Sequence, residues 1–247
     1  MADWIPALVI ENRHWNNDLF SLTLEANIEP FKAGQFTKLA LDIDGKRIQR
    51  AYSFVNPPTE NRIEVYATRV ADGLLSPRLH ALSPGDQVWV TARANGFFTL
   101  DEVPDSSVLW MMATGTALGP FLSILRDDIV WRRFRKVVLN HAVRYAADLS
   151  YQGELNELKQ RYPDQLIIQP FASREPVPGA LNGRITHALA DGLLERMVGL
   201  ELRADNSQVM ICGNPQMVKD TLSALEQKGL SKNLRRSPGQ ITMEHYW

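Results

Sequence analysis

Arg50 and Tyr52 stand two residues apart in Gln49-Arg50-Ala51-Tyr52-Ser53-Phe54. Residues alternate sides along a strand, so Arg50, Tyr52 and Phe54 would share one face. A guanidinium offers a planar fork of donors to phosphate, and a tyrosine ring offers a stacking surface. The pair suits a ligand with a phosphate at one end and a flat ring at the other. On strict alternation Ser53 would turn away. It would then serve the ring through its backbone N–H, or through its hydroxyl if the strand bulges there. Arg and Tyr are equally at home on an ordinary strand face, so the hexapeptide alone leaves both readings open.

Asp72-Gly73-Leu74-Leu75-Ser76-Pro77 adds a second phosphate signal. Ser76 suits an N-cap and Pro77 a first helical residue, with Leu79 and Leu82 as the apolar pattern behind them. A helix start exposes unpaired N–H groups that favour an anion, although a plain capped helix between two strands would look the same. Farther on, Val108–Ala113 is a continuous apolar run followed by Thr114-Gly115-Thr116-Ala117-Leu118-Gly119-Pro120. A buried strand, a glycine turn and a helix start let a dinucleotide approach the backbone closely, yet the full GxGxxG fingerprint is absent. Arg144, Ser173, Arg174 and Arg184 each fall just past an expected strand or in the next loop. Arginines gathered on one rim suit a ligand with an extra phosphate, whereas a bare ribose diol favours an acidic residue.

The elements that must position these residues fall into two grammars. Up to about residue 100 the pattern alternates. Strands are expected at Phe20–Glu25, Gly34–Leu41, the Arg50 segment, Arg62–Val70 and Gln87–Arg93, with a hairpin signal at Asp44-Gly45. Short strands separated by turn signals indicate a small antiparallel barrel. Asp101–Ser107 is polar and reads as a linker. Beyond it strands alternate with helices: a helical stretch from Phe121, a strand at Lys136–Ala142, a helix at Ser150–Arg161 and a strand at Leu166–Ala172. A helix at Ile185–Leu194, a strand at Gln208–Cys212 and a helix from about Gln216 to Lys228 follow. That order implies a parallel sheet whose ligands sit at the carboxyl ends of its strands.

Composition narrows the classes. A net charge of −1 gives no global pull towards nucleic acid or an anionic membrane. A single cysteine, Cys212, excludes an internal disulfide and fits a reducing, cytoplasmic setting. No secretory signal and no membrane-spanning run are expected. The five histidines are scattered and no CxxC occurs, so neither a zinc nor an iron–sulfur site is expected.

Taken in order, five motifs carry a family resemblance. They are Arg-x-Tyr-Ser, Gly-x-x-Ser-Pro, Thr-Gly-Thr-Ala-x-Gly-Pro, Cys-Gly-Asn-Pro-x-Met and Glu-x-Tyr-Trp. From Gly34 to Trp247 the chain resembles the ferredoxin/flavodoxin–NADP reductases of the bacterial type with a short aromatic C-terminal extension. The resemblance implies an FAD-binding antiparallel β-barrel at 1–100. It also implies an NADP-binding α/β domain with a parallel sheet at 101–247, whose tail returns to the flavin. Arg50 would bind the FAD pyrophosphate, Ala51 and Tyr52 would lie along the flavin, and Ser53 would sit near its N5. The turn at Leu74, Leu75 and Ser76 would take phosphate, with Tyr66 nearby. Thr116 would face both rings. Arg144, Ser173, Arg174 and Arg184 would hold the NADP phosphates, and Cys212 and Glu244 would flank the nicotinamide. Tyr246 would cover the free flavin face and Trp247 the adenine, with that assignment open to exchange. Ala117 and Leu118 depart from the pattern where a second close-packed glycine would tighten the loop.

The implied activity is electron transfer from NADPH, by hydride to flavin N5, and onward singly to flavodoxin or ferredoxin. The protein would act as a monomer without nucleic acid, membrane or metal. Reduction of free flavins or small quinones is the alternative. Two basic clusters could steer an acidic partner: Arg126, Arg132, Arg133, Arg135 and Lys136, and Lys228, Lys232, Arg235 and Arg236.

Overall fold

The two grammars build two units. The computed structural model describes residues 3–246. One unit runs up to Thr99 and includes Gly119–Asp127; the other holds Leu100–Leu118 and the chain from Asp128 onward.

The first unit contains β1 (Trp4–His14), β2 (Leu19–Glu25), β3 (Phe36–Ile43), β4 (Lys46–Ser53), β5 (Ile63–Thr68), a helix α1 (Ser76–His80) and β6 (Gln87–Thr91). The sheet order is β4-β3-β6-β1-β2-β5, with antiparallel pairings throughout. Its two edges meet through an antiparallel bridge between Phe54 and Val65, which makes the curled sheet a barrel. Phe20, Leu22 and Leu24 point inward from β2, and all three are fully buried. They share a core with Leu39, Phe54, Ile63, Val65, Val88 and Val90, joined by Leu79 of α1 and by Leu75 just before it. Asp44 and Gly45 both take positive φ, the backbone that a tight two-residue hairpin between β3 and β4 requires.

β1 has no counterpart among the expected strands. Only Ala7 and Val9 are buried along it, while Leu8 and Ile10 are exposed. Apolar residues on both faces erase the alternation that reveals a strand.

The second unit contains β7 (Val108–Thr114), β8 (Lys136–Val143), β9 (Leu166–Ala172), β10 (Leu181–Asn182), β11 (Ser207–Gly213) and β12 (Ile241–His245). All pairings are parallel and the order is β10-β9-β8-β7-β11-β12. Leu109 to Ala113 are completely buried, as a strand covered on both faces must be. Helix α2 (Leu118–Leu125) begins three residues before the expected Phe121, and α3 (Asp128–Arg133) and α4 (Gln152–Arg161) follow. The single helix expected at Ile185–Leu194 is two, α5 (Ile185–Ala190) and α6 (Leu193–Val198). Gly192, with φ +65, turns the chain between them. Helix α7 (Pro215–Gln227) starts on Asn214, whose side chain accepts from the N–H groups of Gln216 and Met217.

The segment 119–127 belongs with the barrel, although it lies beyond the boundary read from composition at residue 101. Its contacts explain this. Ser123 Oγ donates to the Asn56 carbonyl at 2.7 Å, Arg126 pairs with Glu64 at 2.9 Å, and Phe121 meets Phe98 edge to face. The stretch read as a linker is also tied down within its own unit. Arg133 donates to the carbonyls of Leu100 and Val103 and to the Asp105 carboxylate.

Candidate functional site

In the barrel, Arg50 and Tyr52 alternate to the same side of β4, opposite Leu39 and Thr37 of β3. Arg50 is exposed, and its guanidinium donates to the neighbouring Gln49 carbonyl at 2.7 Å. Ala51 is exposed, Tyr52 is half-buried and Ser53 is buried. Burial pushes the Tyr52 phenol up to about 12, against the opposing pull of Arg50, so the ring is neutral at physiological pH. The bridge at Phe54 and Val65 brings Tyr66, itself buried, to the Ser53 end of β4. Trp15 meets the Tyr66 ring edge-on at 6.4 Å.

The turn into α1 differs from its expected form. The N-cap is Leu75 rather than Ser76, and no side chain caps it. Ser76 is the first helical residue, and its hydroxyl accepts from the Val70 N–H at 3.0 Å, which leaves its own hydrogen as a donor. Leu75 puts its side chain in the core, so only its backbone can serve a ligand, while Leu74 is exposed. A Cβ on Gly73 would lie 3.0 Å from the Val70 carbonyl oxygen and 3.3 Å from Ser76 Oγ, so a side chain there would push these neighbours aside by a few tenths of an ångström.

In the second unit the strand order reverses between β7 and β11. The crevice outside the carboxyl ends of such strands is where ligands bind. Thr114 ends β7, and its Oγ1 accepts from the Asn214 N–H at 3.0 Å. Gly115 follows with φ +54, then Thr116, which is buried. Cys212 is paired with Ala113 on one side and Glu244 on the other. Burial, and then the Glu244 carboxylate, push the Cys212 thiol well up, so it stays protonated.

The tail enters this sheet as its outer strand. β12 runs parallel to β11, and the Tyr246 N–H donates to the Gly213 carbonyl at 3.0 Å. Tyr246 is half-buried, and Trp247 lies outside the described residues. Burial pushes the Glu244 carboxyl up to about 7 from an ordinary 4.5. The folded chain therefore binds that proton more tightly than the unfolded chain does. The stabilisation is complete below about pH 4.5, is lost as the pH rises to about 7, and changes no further above it. Glu244→Gln is expected to remove this dependence. Its melting temperature relative to the parent should rise between pH 5 and 8. A constant difference over that range would show an ordinary carboxyl.

Along the same rim, Arg144 follows β8, Ser173 and Arg174 follow β9, and Arg184 precedes α5. The Arg174 N–H donates to the Arg144 carbonyl at 3.0 Å, and the Ser173 N–H and hydroxyl both reach the Val143 carbonyl. These bonds place Arg144 and Arg174 together. All three guanidiniums are exposed, and none forms an ion pair among the described residues.

The two basic clusters do not survive as such. Arg126 is held by Glu64 with both side chains largely covered, and Arg133 is spent on the segment after Leu100. Lys136 Nζ bonds the Asp164 carbonyl, and Lys228 pairs with Glu195 at 2.5 Å. Arg132, Arg135, Lys232, Arg235 and Arg236 remain exposed. One polar residue beside the Thr114 turn escaped sequence reasoning. His141 is buried on β8 with Nε2 3.0 Å from the Gly115 carbonyl oxygen. A histidine amid apolar strand residues gives no signal of that contact.

Residues 9–97 match the family described as oxidoreductase FAD-binding domain, and residues 111–223 match the oxidoreductase NAD-binding domain. The chain is 54% identical over 248 residues to a flavodoxin/ferredoxin–NADP reductase of Shigella flexneri, covering all of both proteins. A ferredoxin–NADP reductase of Pseudomonas aeruginosa is 32% identical, over 99% of this chain and 98% of that one. A crystal structure of a ferredoxin NADP+ reductase from Neisseria gonorrhoeae with bound FAD and NADP superposes with a TM-score of 0.94 at 31% identity, covering 99% of each chain. No helix among the described residues is long and apolar enough to cross a membrane. Similarity of this degree over the whole length of both chains settles the family: the chain belongs to the flavodoxin/ferredoxin–NADP reductases, oxidoreductases built from an FAD-binding and a nicotinamide-nucleotide-binding domain.

Proposed function

We propose that this chain takes electrons from NADPH and passes them singly to an acidic flavodoxin or ferredoxin, acting as a cytoplasmic monomer. The rim of Arg144, Arg174 and Arg184 carries this reading. Three exposed guanidiniums beside one set of strand ends provide for more phosphate than a dinucleotide without a 2′-phosphate would bring.

The barrel residues fit FAD by their donor set. Arg50 supplies a planar cation for the pyrophosphate, and the backbone at Leu74, Leu75 and Ser76 supplies N–H groups, joined by the Ser76 hydroxyl. Tyr52 supplies a neutral ring for the flavin and the buried Tyr66 a second ring, beside the exposed Ala51. Bound FAD would supply the chemistry, accepting a hydride from NADPH and releasing electrons one at a time. Ser53, buried at the end of β4, would donate its hydroxyl to flavin N5. Thr116 and the protonated Cys212 thiol would wall the nicotinamide without reacting with it. Glu244, poised near neutrality, would hold or yield a proton at its carboxyl beside that ring. Hydride transfer itself depends on near contact between donor and acceptor, so positioning matters more than any strong acid. Tyr246 and Trp247 would shield the rings from water until NADPH arrives.

The test is an anaerobic absorption spectrum of the purified protein. NADPH is expected to bleach a bound-flavin spectrum, and oxidised flavodoxin to restore it. A colourless protein, or one that NADPH does not bleach, would sink the proposal. Turnover with free FMN as fast as with flavodoxin would favour the free-flavin reductase instead. Arg50→Ala should raise the dissociation constant for FAD by roughly tenfold or more, the loss of a charged hydrogen bond. Equal FAD retention after gel filtration would take Arg50 out of the site.

A further inference from the structure

β8 carries one polar ring inside an apolar wall. His141 is paired in register with Ala113 of β7 and is 1% exposed. Its Nε2 lies 3.0 Å from the Gly115 carbonyl oxygen. A carbonyl oxygen can only accept, so the ring donates, which fixes the Nε2–H tautomer. Nδ1 is then a bare lone pair, buried without a partner among the described residues. Burial also holds the imidazole down at about 4, so it is neutral at physiological pH. Packing alone does not account for this ring. An aliphatic side chain would fill the wall without burying an unpaired nitrogen.

The contact sits where the backbone is least constrained. Gly115 has φ +54, and a Cβ on it would meet nothing within 4 Å, so glycine is there for its conformation and not for space. The Gly115–Thr116 peptide is planar and trans, so its C=O and N–H point in opposite directions. Tying the carbonyl to His141 aims the Thr116 N–H away from that ring. Gly115–Ala117 is a single 3₁₀ turn, whose leading N–H groups have no partner inside the turn. On the other flank Thr114 accepts from the Asn214 N–H at the start of α7, so the turn is held from both sides.

We infer that His141 is a positioning residue for the nicotinamide nucleotide: it holds the Gly115 carbonyl so that Thr116 presents its N–H to bound NADPH. The inference rests on the reading of this turn as part of the NADPH site.

Steady-state kinetics of the holoenzyme with NADPH and ferricyanide test it. His141→Leu should raise the KM for NADPH about tenfold, with kcat within about twofold and bound FAD per chain unchanged. His141→Gln, whose amide nitrogen reaches as far as Nε2, should restore KM to within about threefold of the parent. His141→Asn, one methylene shorter, should behave like His141→Leu. Unchanged KM in every variant overturns the inference, and so does equal impairment of the Gln and Asn variants. Should His141→Leu fail to fold, the comparison of Gln with Asn decides alone. A parent protein that NADPH does not reduce would instead sink the NADPH reading itself, whatever the variants do.

Discussion

Arg174→Ala is expected to raise the KM for NADPH by roughly 10- to 100-fold while leaving kcat/KM for NADH within about twofold. The two nucleotides differ only in the 2′-phosphate. Arg174 is exposed at the end of β9, and its backbone is anchored to the Arg144 carbonyl, so the guanidinium starts from a fixed point beside a second one. Charge-assisted hydrogen bonds to phosphate are worth about 1.5–3 kcal/mol each, which sets the size of the effect. Arg174→Lys should fall between, because it keeps the charge and loses the two-pronged geometry. Added salt should weaken NADPH binding to the parent more than to the Ala variant. Equal losses for NADH and NADPH would show that Arg174 supports the fold of the rim and does not read the extra phosphate.

Gly213→Ala should produce the largest combined loss of stability and nucleotide binding. Gly213 has φ +146, a conformation that residues with a side chain rarely adopt. The added methyl would lie 2.1 Å from Thr114 Oγ1, 3.0 Å from Met217 Cε and 3.1 Å from the Thr114 nitrogen. Relief would require Thr114 to turn its hydroxyl away, losing the bond from the Asn214 N–H, or the end of β7 to move from β11, at the crevice where the strand order reverses. Backbone strain together with this overlap is expected to cost more than about 2 kcal/mol, read as a lower urea midpoint. The KM for NADPH should rise with it. Removing the hydroxyl in a Gly213→Ala, Thr114→Ala double variant should recover only part of the loss, since the strained φ and the contact with the Thr114 nitrogen remain. A single variant with parental stability and parental KM would mean that the two strand ends can separate without consequence.

Local pattern carried most of the architecture. Phe20, Leu22 and Leu24 announce a half-buried strand because alternation is a property of neighbours. The unbroken run from Val108 to Ala113 announces a strand covered on both sides for the same reason. Asp44-Gly45 marks its hairpin because few residue pairs accept two positive φ values. The charged rim was legible too, since the ends of parallel strands and the arginines just beyond them are both visible along the chain.

What stayed hidden depends on partners far away in sequence. β1 is a strand because β2 and β6 pair with it, not because of its own alternation. The tail at Ile241–His245 becomes a strand only by lying against β11. Arg126 and Arg133 look like docking charges until Glu64 and the backbone near Leu100 claim them. Segment 119–127 joins the barrel through Asn56, Glu64 and Phe98, contacts that no composition boundary can foresee. His141 matters only because the fold sets the Gly115 carbonyl 3.0 Å from its ring. Residue order thus announced the strands and helices whose own period or alternation is strong, because that signal is made by propensity and spacing over a few neighbours, while β1 and β12 needed their partners. Which charges remain free, and which backbone atoms are held in place for a ligand, was decided in three dimensions, where burial and hydrogen-bond partners are assigned.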